Sequence, residues 1–370
     1  MVGCPFDAVR LVEVEATGYG IIEVDGHSHT VPMGISLKAA LEYCGVDFSP
    51  YPGEGTLMAP CGVGGCMSCA VRVDGELLAS CVTAVRDGMR VTTEVPKDGT
   101  VRRGVHGFQG HSVGGVGTPW ELKGRRARIE VACFAAGCNF KCPQCQNWMT
   151  AYRGKGEFLT PDEAAERLTR ARKRYGVDRM AISGGECTLN RRWLVHFIDH
   201  LKRGNRDREV RFHVDTNGSI LTHDYIDELV EAGMTDVGID LKGFKLETFM
   251  SITGLREAKL AKRYLETAWD ACRYLTGHHR GRVFLGIGIP YCQDLISLEE
   301  VYGIGHEIGL MDPEIQACLL DYRLEFRRKH IAELRVRQPG PTEMAQAAEV
   351  LREAGLRKVI AQTIFGHIGP

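Results

Sequence analysis

The chain has 370 residues, with 46 Lys and Arg against 47 Asp and Glu. That length accommodates two domains, and the balanced charge excludes a global attraction to nucleic acid or to an anionic membrane. There is no apolar run of the roughly 18 residues a membrane span needs, and the start, MVGCPFDAVRLVEVE, lacks a secretory pattern, so the expectation is a soluble, cytoplasmic protein.

In the first hundred residues the apolar positions alternate in two runs, LVEVE and GIIEVDG, with Gly18 and Gly20 between them, which predicts a hairpin over Arg10 to Asp25. Ser36 to Gly45 has a Ser cap, apolar residues at helical spacing (Leu37, Ala40, Leu41, Cys44) and a terminal Gly, predicting a helix. Then Cys61, Cys66, Cys69 and Cys81 follow in a C-x4-C-x2-C-x11-C pattern. In a chain with no sign of export, ligand-spaced cysteines indicate metal rather than disulfides. A loop wrapped around a cluster needs positive φ and inward N–H groups, which Gly62, Gly64 and Gly65 permit. The first spacings match the plant-type [2Fe–2S] run, whose clusters sit near about −400 mV. The short return to Cys81 resembles the small iron–sulfur domains of molybdenum hydroxylases and succinate dehydrogenases, as does VTAVRDGMRVTTE after it. The resemblance implies a β-grasp fold with an electron-transfer role.

Residues 96–124 are rich in Gly with no sustained period and read as a connector between a domain over 1–95 and another over 125–370. His106 and His111 are expected to be loop-packing residues there. After the connector, short apolar runs alternate with helical patterns. Strands are predicted at Ala127–Cys133, Arg179–Ser183, Val210–Asp215, Asp236–Leu241, Arg282–Ile289 and Glu314–Leu320, with Lys358–Ala361 as a seventh candidate. A helix is predicted over Pro161–Tyr175, with Thr160 and Glu163 as its capping box. Such alternation is α/β, a parallel sheet with helices outside.

Active sites of parallel β/α folds collect where strands end. Here five consecutive strands put unusual residues at that end: a cysteine loop, then SGGE, DTNG, DLKG and PYC. The cysteine loop, VACFAAGCNFKCPQC, places Cys138, Cys142 and Cys145 in a CxxxCxxC pattern. Three thiolates hold three irons of a [4Fe–4S] cube and leave the fourth iron open, whereas such clusters ordinarily take four cysteines.

This loop closely resembles that of the radical S-adenosylmethionine (SAM) enzymes, and CNFKCPQCQNW with LREAGLRKVI is most similar to the pyruvate formate-lyase activating branch. The resemblance covers residues 127 to about 290 and implies a partial (β/α)6 TIM-type barrel. It implies a [4Fe–4S] cluster, SAM cleaved reductively to a 5′-deoxyadenosyl radical, hydrogen abstraction from a protein or peptide, and an external donor of the ferredoxin or flavodoxin type. By the same resemblance, Gly184, Gly185 and Glu186 hold the amino end of SAM, two glycines allowing close approach and a carboxylate suiting an ammonium. Asp215 and Thr216, with Asp240 and with Asn217 among the cofactor-binding residues, hold a monovalent cation or order the SAM pocket, unless Asp215 and Asp240 merely cap loops. Lys242 meets the SAM carboxylate, a substrate acid or only Asp240. Gln144 stands where the family commonly has an aromatic residue against adenine, so that contact falls to Phe140, Trp148 or the Gln144 amide. Cys187 follows GGE where Pro is frequent, as a packing residue or as a thiol facing the pocket. Two other classes stay open: a cobalamin-dependent radical methylase acting on a protein, and a non-catalytic carrier with two clusters.

Overall fold

The structure, a computed structural model, describes residues 18–94, 101–123, 128–154, 156–323 and 336–370. The first unit contains β1 (Tyr19–Val24), β2 (His27–Pro32), α1 (Leu37–Tyr43), β3 (Phe48–Ser49), β4 (Leu57–Met58), β5 (Ala70–Val73), β6 (Glu76–Ala79) and β7 (Arg90–Thr92). Along β1 the alternation turns Ile22 and Val24 inward, where they meet Val31, Leu37, Leu41, Val71 and Val91 in a small core. The sheet order is β2-β1-β7-β5-β6, with β1 and β7 parallel, a β-grasp arrangement. The hairpin is displaced from its expected position. GIIEVDG is its first strand, and it turns at Asp25 and Gly26, both at positive φ, into β2. The run LVEVE lies outside the described residues.

The connector is not a plain linker. Its residues form β8 (Arg103–His111), which pairs antiparallel with β9 (Glu130–Ala135) across a bulge at Gly107 and Gln109. The larger unit continues with α2 (Trp148–Arg153), β10 (Glu157–Leu159), α3 (Pro161–Tyr175), β11 (Arg179–Gly184), α4 (Arg191–Gly204), β12 (Arg211–Thr216), α5 (His223–Ala232), β13 (Asp236–Asp240) and α6 (Leu246–Thr253). It ends with α7 (Ala258–His278), β14 (Phe284–Tyr291), α8 (Leu298–Met311), β15 (Gln316–Asp321), α9 (Pro341–Glu353), β16 (Lys358–Thr363) and β17 (Gly366–Ile368). From β9 through β11, β12, β13, β14 and β15 to β16 each neighbouring pair is parallel, while β8 and β17 flank the run antiparallel. The partial barrel is therefore one parallel strand longer than six, the extra one being the Lys358 segment. Ala127, at the start of the first expected strand, lies outside the described residues. No helix among the described residues is long and apolar enough to cross a membrane.

Beyond β8 the chain enters the barrel. Gln316 Nε2 donates to Val116 O and Thr118 O at 3.3 and 3.0 Å, Arg179 donates to Gly117 O at 3.1 Å, and Gly117 N donates to Asp215 Oδ1 at 3.4 Å. Every polar backbone group of such an inserted segment needs a partner, and the barrel wall supplies these. Room comes from missing side chains. A Cβ on Gly238 would lie 2.5 Å from Gly117 N, and one on Gly286 would overlap Val116 O.

Replacing Gly286 by Val is expected to cost about 1–3 kcal/mol of stability, the usual range for overpacking. Gly277→Ala is the control, since a Cβ at this α7 position meets nothing within 4 Å. Urea unfolding should separate the two, and equal midpoints would mean that the inserted segment, residues 115–118, does not pack as a plug against Gly286.

Candidate active site

The cysteine loop after β9 is held from several sides. Asn139 Nδ2 donates to Ser219 Oγ at 2.8 Å, Lys141 N to Thr253 O at 2.8 Å, and Tyr152 Oη to Cys142 O at 2.9 Å. Phe140 is buried edge-on against Phe249 and Tyr264, at 5.5 and 5.8 Å between ring centres. Gln144 reaches across to Arg323, its amide donating to that carbonyl at 2.5 Å. Burial pushes the Cys138 thiol up to about 12, so iron is what would hold it as a thiolate.

In the first unit Cys61, Cys66 and Cys69 are buried and Cys81 is half-buried, with 3.1 Å between the Cys61 and Cys66 sulfurs. Gly62 and Gly64 have positive φ, as expected, but Gly65 does not. Gly65 is instead a point of close approach, where a Cβ would lie 2.8 Å from Ala136 Cβ. Among the described residues no three side chains converge as they would on a single metal ion. Clusters make no such demand: a [2Fe–2S] centre takes two thiolates per iron, and three thiolates of a [4Fe–4S] cube each take a different iron. Both donor sets fit their groups.

The two cysteine loops touch. A Cβ on Gly137 would lie 3.0 Å from Cys61 Cβ and 3.2 Å from its Sγ, and Lys141 Nζ donates to Cys61 O at 3.0 Å. Gly104 of β8 joins them, donating to Gly65 O at 3.0 Å while accepting from Ala136 N at 2.8 Å. Asn190 Nδ2 and Ser68 Oγ add bonds to Cys66 O and Leu189 O, at 3.0 and 2.6 Å.

A cavity of about 520 Å³ opens at the strand ends. It gathers Cys138, Phe140, Cys142, Gln144 and Cys145 from the first loop, and Gly184 and Gly185 from the end of β11. The end of β12 contributes Asp215, Thr216 and Asn217, and β13 contributes Asp240 and Lys242. Two expected residues lie elsewhere. Trp148 heads α2 outside the lining, and Glu186 stands behind the wall. The Glu186 carboxylate is 1% exposed and accepts from Thr188 N and Oγ1 at 3.0 and 2.6 Å, Thr216 Oγ1 at 2.6 Å and Asn217 N at 2.7 Å. It ties the end of β11 to the end of β12. Its backbone carbonyl and that of Cys187 both accept from the buried Arg103 guanidinium. Cys187 takes the packing role, buried off the cavity with its thiol donating to Asp215 O at 3.1 Å. Lys242 pairs with Asp240 at 3.1 Å; burial lowers its pKa, but Asp240 together with the nearby Cys142 and Cys145 raises it overall.

Beneath Asp215 lies a charged row that the sequence reading missed. His213 is wholly buried, with Nε2 2.9 Å from Asp215 Oδ1 and Nδ1 3.1 Å from Glu130 Oε2. His111 meets the other Glu130 oxygen at 3.3 Å, so this connector histidine is tied to the barrel wall. Arg179 pairs with Asp236 at 3.0 Å. The signal that points to this row is alternation: His213 and Asp215 are two apart on β12 and share a side of the strand.

Residues 133–294 match the radical SAM superfamily, and residues 21–96 match a 2Fe-2S iron-sulfur cluster binding domain. The chain therefore carries a radical SAM domain behind a [2Fe–2S] domain, and with them the sites for a [4Fe–4S] cluster, SAM and a [2Fe–2S] cluster. A probable GTP 3′,8-cyclase of Thermoplasma volcanium is 32% identical over 134 residues, 36% of this chain and 39% of the relative. The GTP 3′,8-cyclase of Cronobacter sakazakii is 30% identical over 137 residues, 36% of this chain and 40% of the relative. The chain thus spans about two fifths of the curated relatives it matches. Among solved structures, Streptococcus suis SuiB bound to precursor peptide SuiA aligns with TM-score 0.44 and 16% identity, over 61% of this chain and 47% of that one.

Burial lowers the pKa of His213, but the Asp215 and Glu130 carboxylates more than reverse this and raise it to about 9 from 6.5. A raised histidine stabilises the fold fully below pH about 6.5, and the contribution is lost as pH climbs through about 9. Unfolding free energy measured across that window should fall more steeply in the native chain than in His213→Gln. Parallel curves would mean that the imidazole is neutral in the fold.

Proposed function

We propose that this chain is a radical SAM enzyme that draws a hydrogen atom from a protein or peptide substrate, with the [2Fe–2S] domain relaying electrons to the active site. The observation that carries this reading is the contact between the two cysteine loops, of which the three-cysteine loop opens on the cavity. When bound, the clusters and SAM supply the electron and the 5′-deoxyadenosyl radical; the protein positions them and excludes water. The chain's own contribution is a wall stitched from strand ends. Gly185 N donates to Ala135 O and Glu186 N to Gly137 O, both at 2.8 Å, so the SGGE turn moves with the cluster loop. Glu186 then fixes Thr216 and Asn217 against that turn.

A macromolecular substrate is favoured by the rim. Strand β17 ends the described sheet beside the cavity, which His367 and Gln362 line, and the hairpin tip exposes Ile364 and Phe365 at 58% and 83%. Sheet edges accept extended peptides through main-chain hydrogen bonds. The nucleotide named for the curated relatives finds less support. Among the described cavity residues Lys242 and Arg323 are matched to Asp240 and Asp321, and Lys123 is bonded to two carbonyls. A ferredoxin or flavodoxin as external donor and a reducing cytoplasm belong to the same proposal.

Anaerobic incubation with SAM and dithionite should release 5′-deoxyadenosine and methionine, and Cys142→Ala should abolish the release. Product analysis with candidate partner proteins then tests the substrate class. Replacing both Cys66 and Cys69 with Ala should leave SAM binding intact but slow turnover at least about tenfold with a ferredoxin or flavodoxin donor. Unchanged turnover in that double variant would end the relay reading.

A further inference from the structure

We propose that the Lys141 ammonium is an electrostatic clamp between the two clusters, holding up the reduction potential of both. This rests on the reading that each cysteine set carries its cluster and that electrons pass between them. Lys141 belongs by sequence to the [4Fe–4S] loop, between Cys138 and Cys142. Its backbone is fixed at the end of α6, where its N–H donates to Thr253 O and Gly254 leaves room, a Cβ there falling 2.5 Å from Lys141 O. From that anchor the side chain crosses to the other domain and bonds the carbonyl of Cys61 at 3.0 Å. The Tyr152 ring lies 5.6 Å from the ammonium, and the Tyr152 hydroxyl is itself bonded to Cys142 O. Among the described residues no carboxylate stands within ion-pair distance, so no side-chain anion there cancels the charge.

A thiolate-ligated cluster is anionic, and its potential depends on nearby charge. Reduction adds a further negative charge, which a neighbouring cation stabilises, more strongly where the surroundings are partly desolvated. Two anionic clusters in adjoining loops also repel, so an electron on one opposes an electron on the other. A cation bonded to one ligand loop and covalently part of the other lowers both penalties at once.

The experiment is a redox titration of the anaerobically reconstituted full chain, followed by electron paramagnetic resonance. Lys141→Gln and Lys141→Met remove the charge; Lys141→Arg keeps it. Each neutral variant should shift the one-electron equilibrium of the [2Fe–2S] centre about tenfold toward the oxidised form, or about 59 mV, with a shift of the same sign at the [4Fe–4S] centre. Lys141→Arg should stay within about threefold of the native chain. If the neutral variants lose clusters that the Arg variant retains, the cation is needed for both centres to coexist, which also supports the clamp. Neutral variants that titrate like the native chain overturn it, as does an Arg variant shifted as far as Gln. These titrations need no electron passage between clusters, so a failed relay would leave their outcome standing.

Discussion

The arrangement depends on one contact, the approach of two cysteine loops through backbone that carries no side chain. Gly65, Gly104, Gly137 and Gly154 all sit in this interface, and a Cβ on any of them would press on the opposite chain. A Cβ on Gly104 would be 3.1 Å from Ala136 Cβ, and one on Gly154 would overlap Val63 O. Glycine is costly in conformational entropy, and here the cost is offset by proximity. The first unit has a small core of its own, but its cluster loop is finished by the second: Cys61, Cys66 and Ser68 find partners on the barrel side. Separating the domains would expose the loop and leave those groups to water.

The same connector strand serves a second end of the barrel. Having bonded both cysteine loops at Gly104 and gripped the SGGE turn through Arg103, the chain runs down β8 and inserts residues 115–118 among the barrel strands. There Glu130, His213, Asp215, Arg179 and Asp236 receive it. Buried charges are expensive unless paired, and removing one partner strands the other. Pairing here is nearly complete: among the described residues of this row, the buried atom without a hydrogen-bond partner is Arg179 Nε, itself 3.7 Å from Glu130. The polar interior favours one seating for the plug, because a shifted plug would lose its backbone bonds to Glu130, Asp215 and Arg179 together. Val116 and Gly115 of the plug form part of the cavity wall, with Cys142 and Cys145 on that same cavity. One segment thus touches the interdomain interface, the SGGE turn and the floor of the cavity.

What was legible in the sequence was local. The cysteine spacings, the capping box at Thr160 and the succession of odd residues at strand ends all depend on neighbours a few positions away, and the parallel strands of the barrel lie within a few residues of where the apolar runs placed them. What was not legible depends on pairing at a distance. Strand β8 has no hydrophobic period because its glycines serve close approach to β9 and to the cysteine loops, so a pattern that normally marks a linker here marks a strand held between β10 and β9. Gly65 looked like a positive-φ position because its neighbours are, yet its purpose lies across the interface at Ala136. The β1–β2 hairpin carried a visible Asp-Gly turn signal, outweighed by two glycines before it. His213, Glu130 and Arg179 looked like single polar residues within strands. The parallel pairing of β9, β11 and β12, which sets Arg179 opposite Glu130 and places His213 one strand further on, brings them together.

The position of Glu186 carries the same lesson into the chemistry. A carboxylate offers about four lone-pair directions; Oε1 takes the bonds from Thr188 N, Thr188 Oγ1 and Thr216 Oγ1, and Oε2 takes the one from Asn217 N. The groups that face the cavity from this turn are Ser183 and the two glycines, with Thr216 and Asn217 held beside them. An acid placed behind the wall still shapes what the wall presents: it fixes the DTN turn against the GG turn, and its backbone is bonded to the cluster loop at Gly137. Glu186 therefore contributes strength of attachment to this wall. The turn that would cradle SAM, the loop that would hold the cube and the carbonyl of Cys61 beyond it form a connected path of short hydrogen bonds, from Glu186 through Gly137 and Ala136 to Gly104 and Gly65. A displacement at either end must be taken up along this path, because none of its glycines has a side chain to yield.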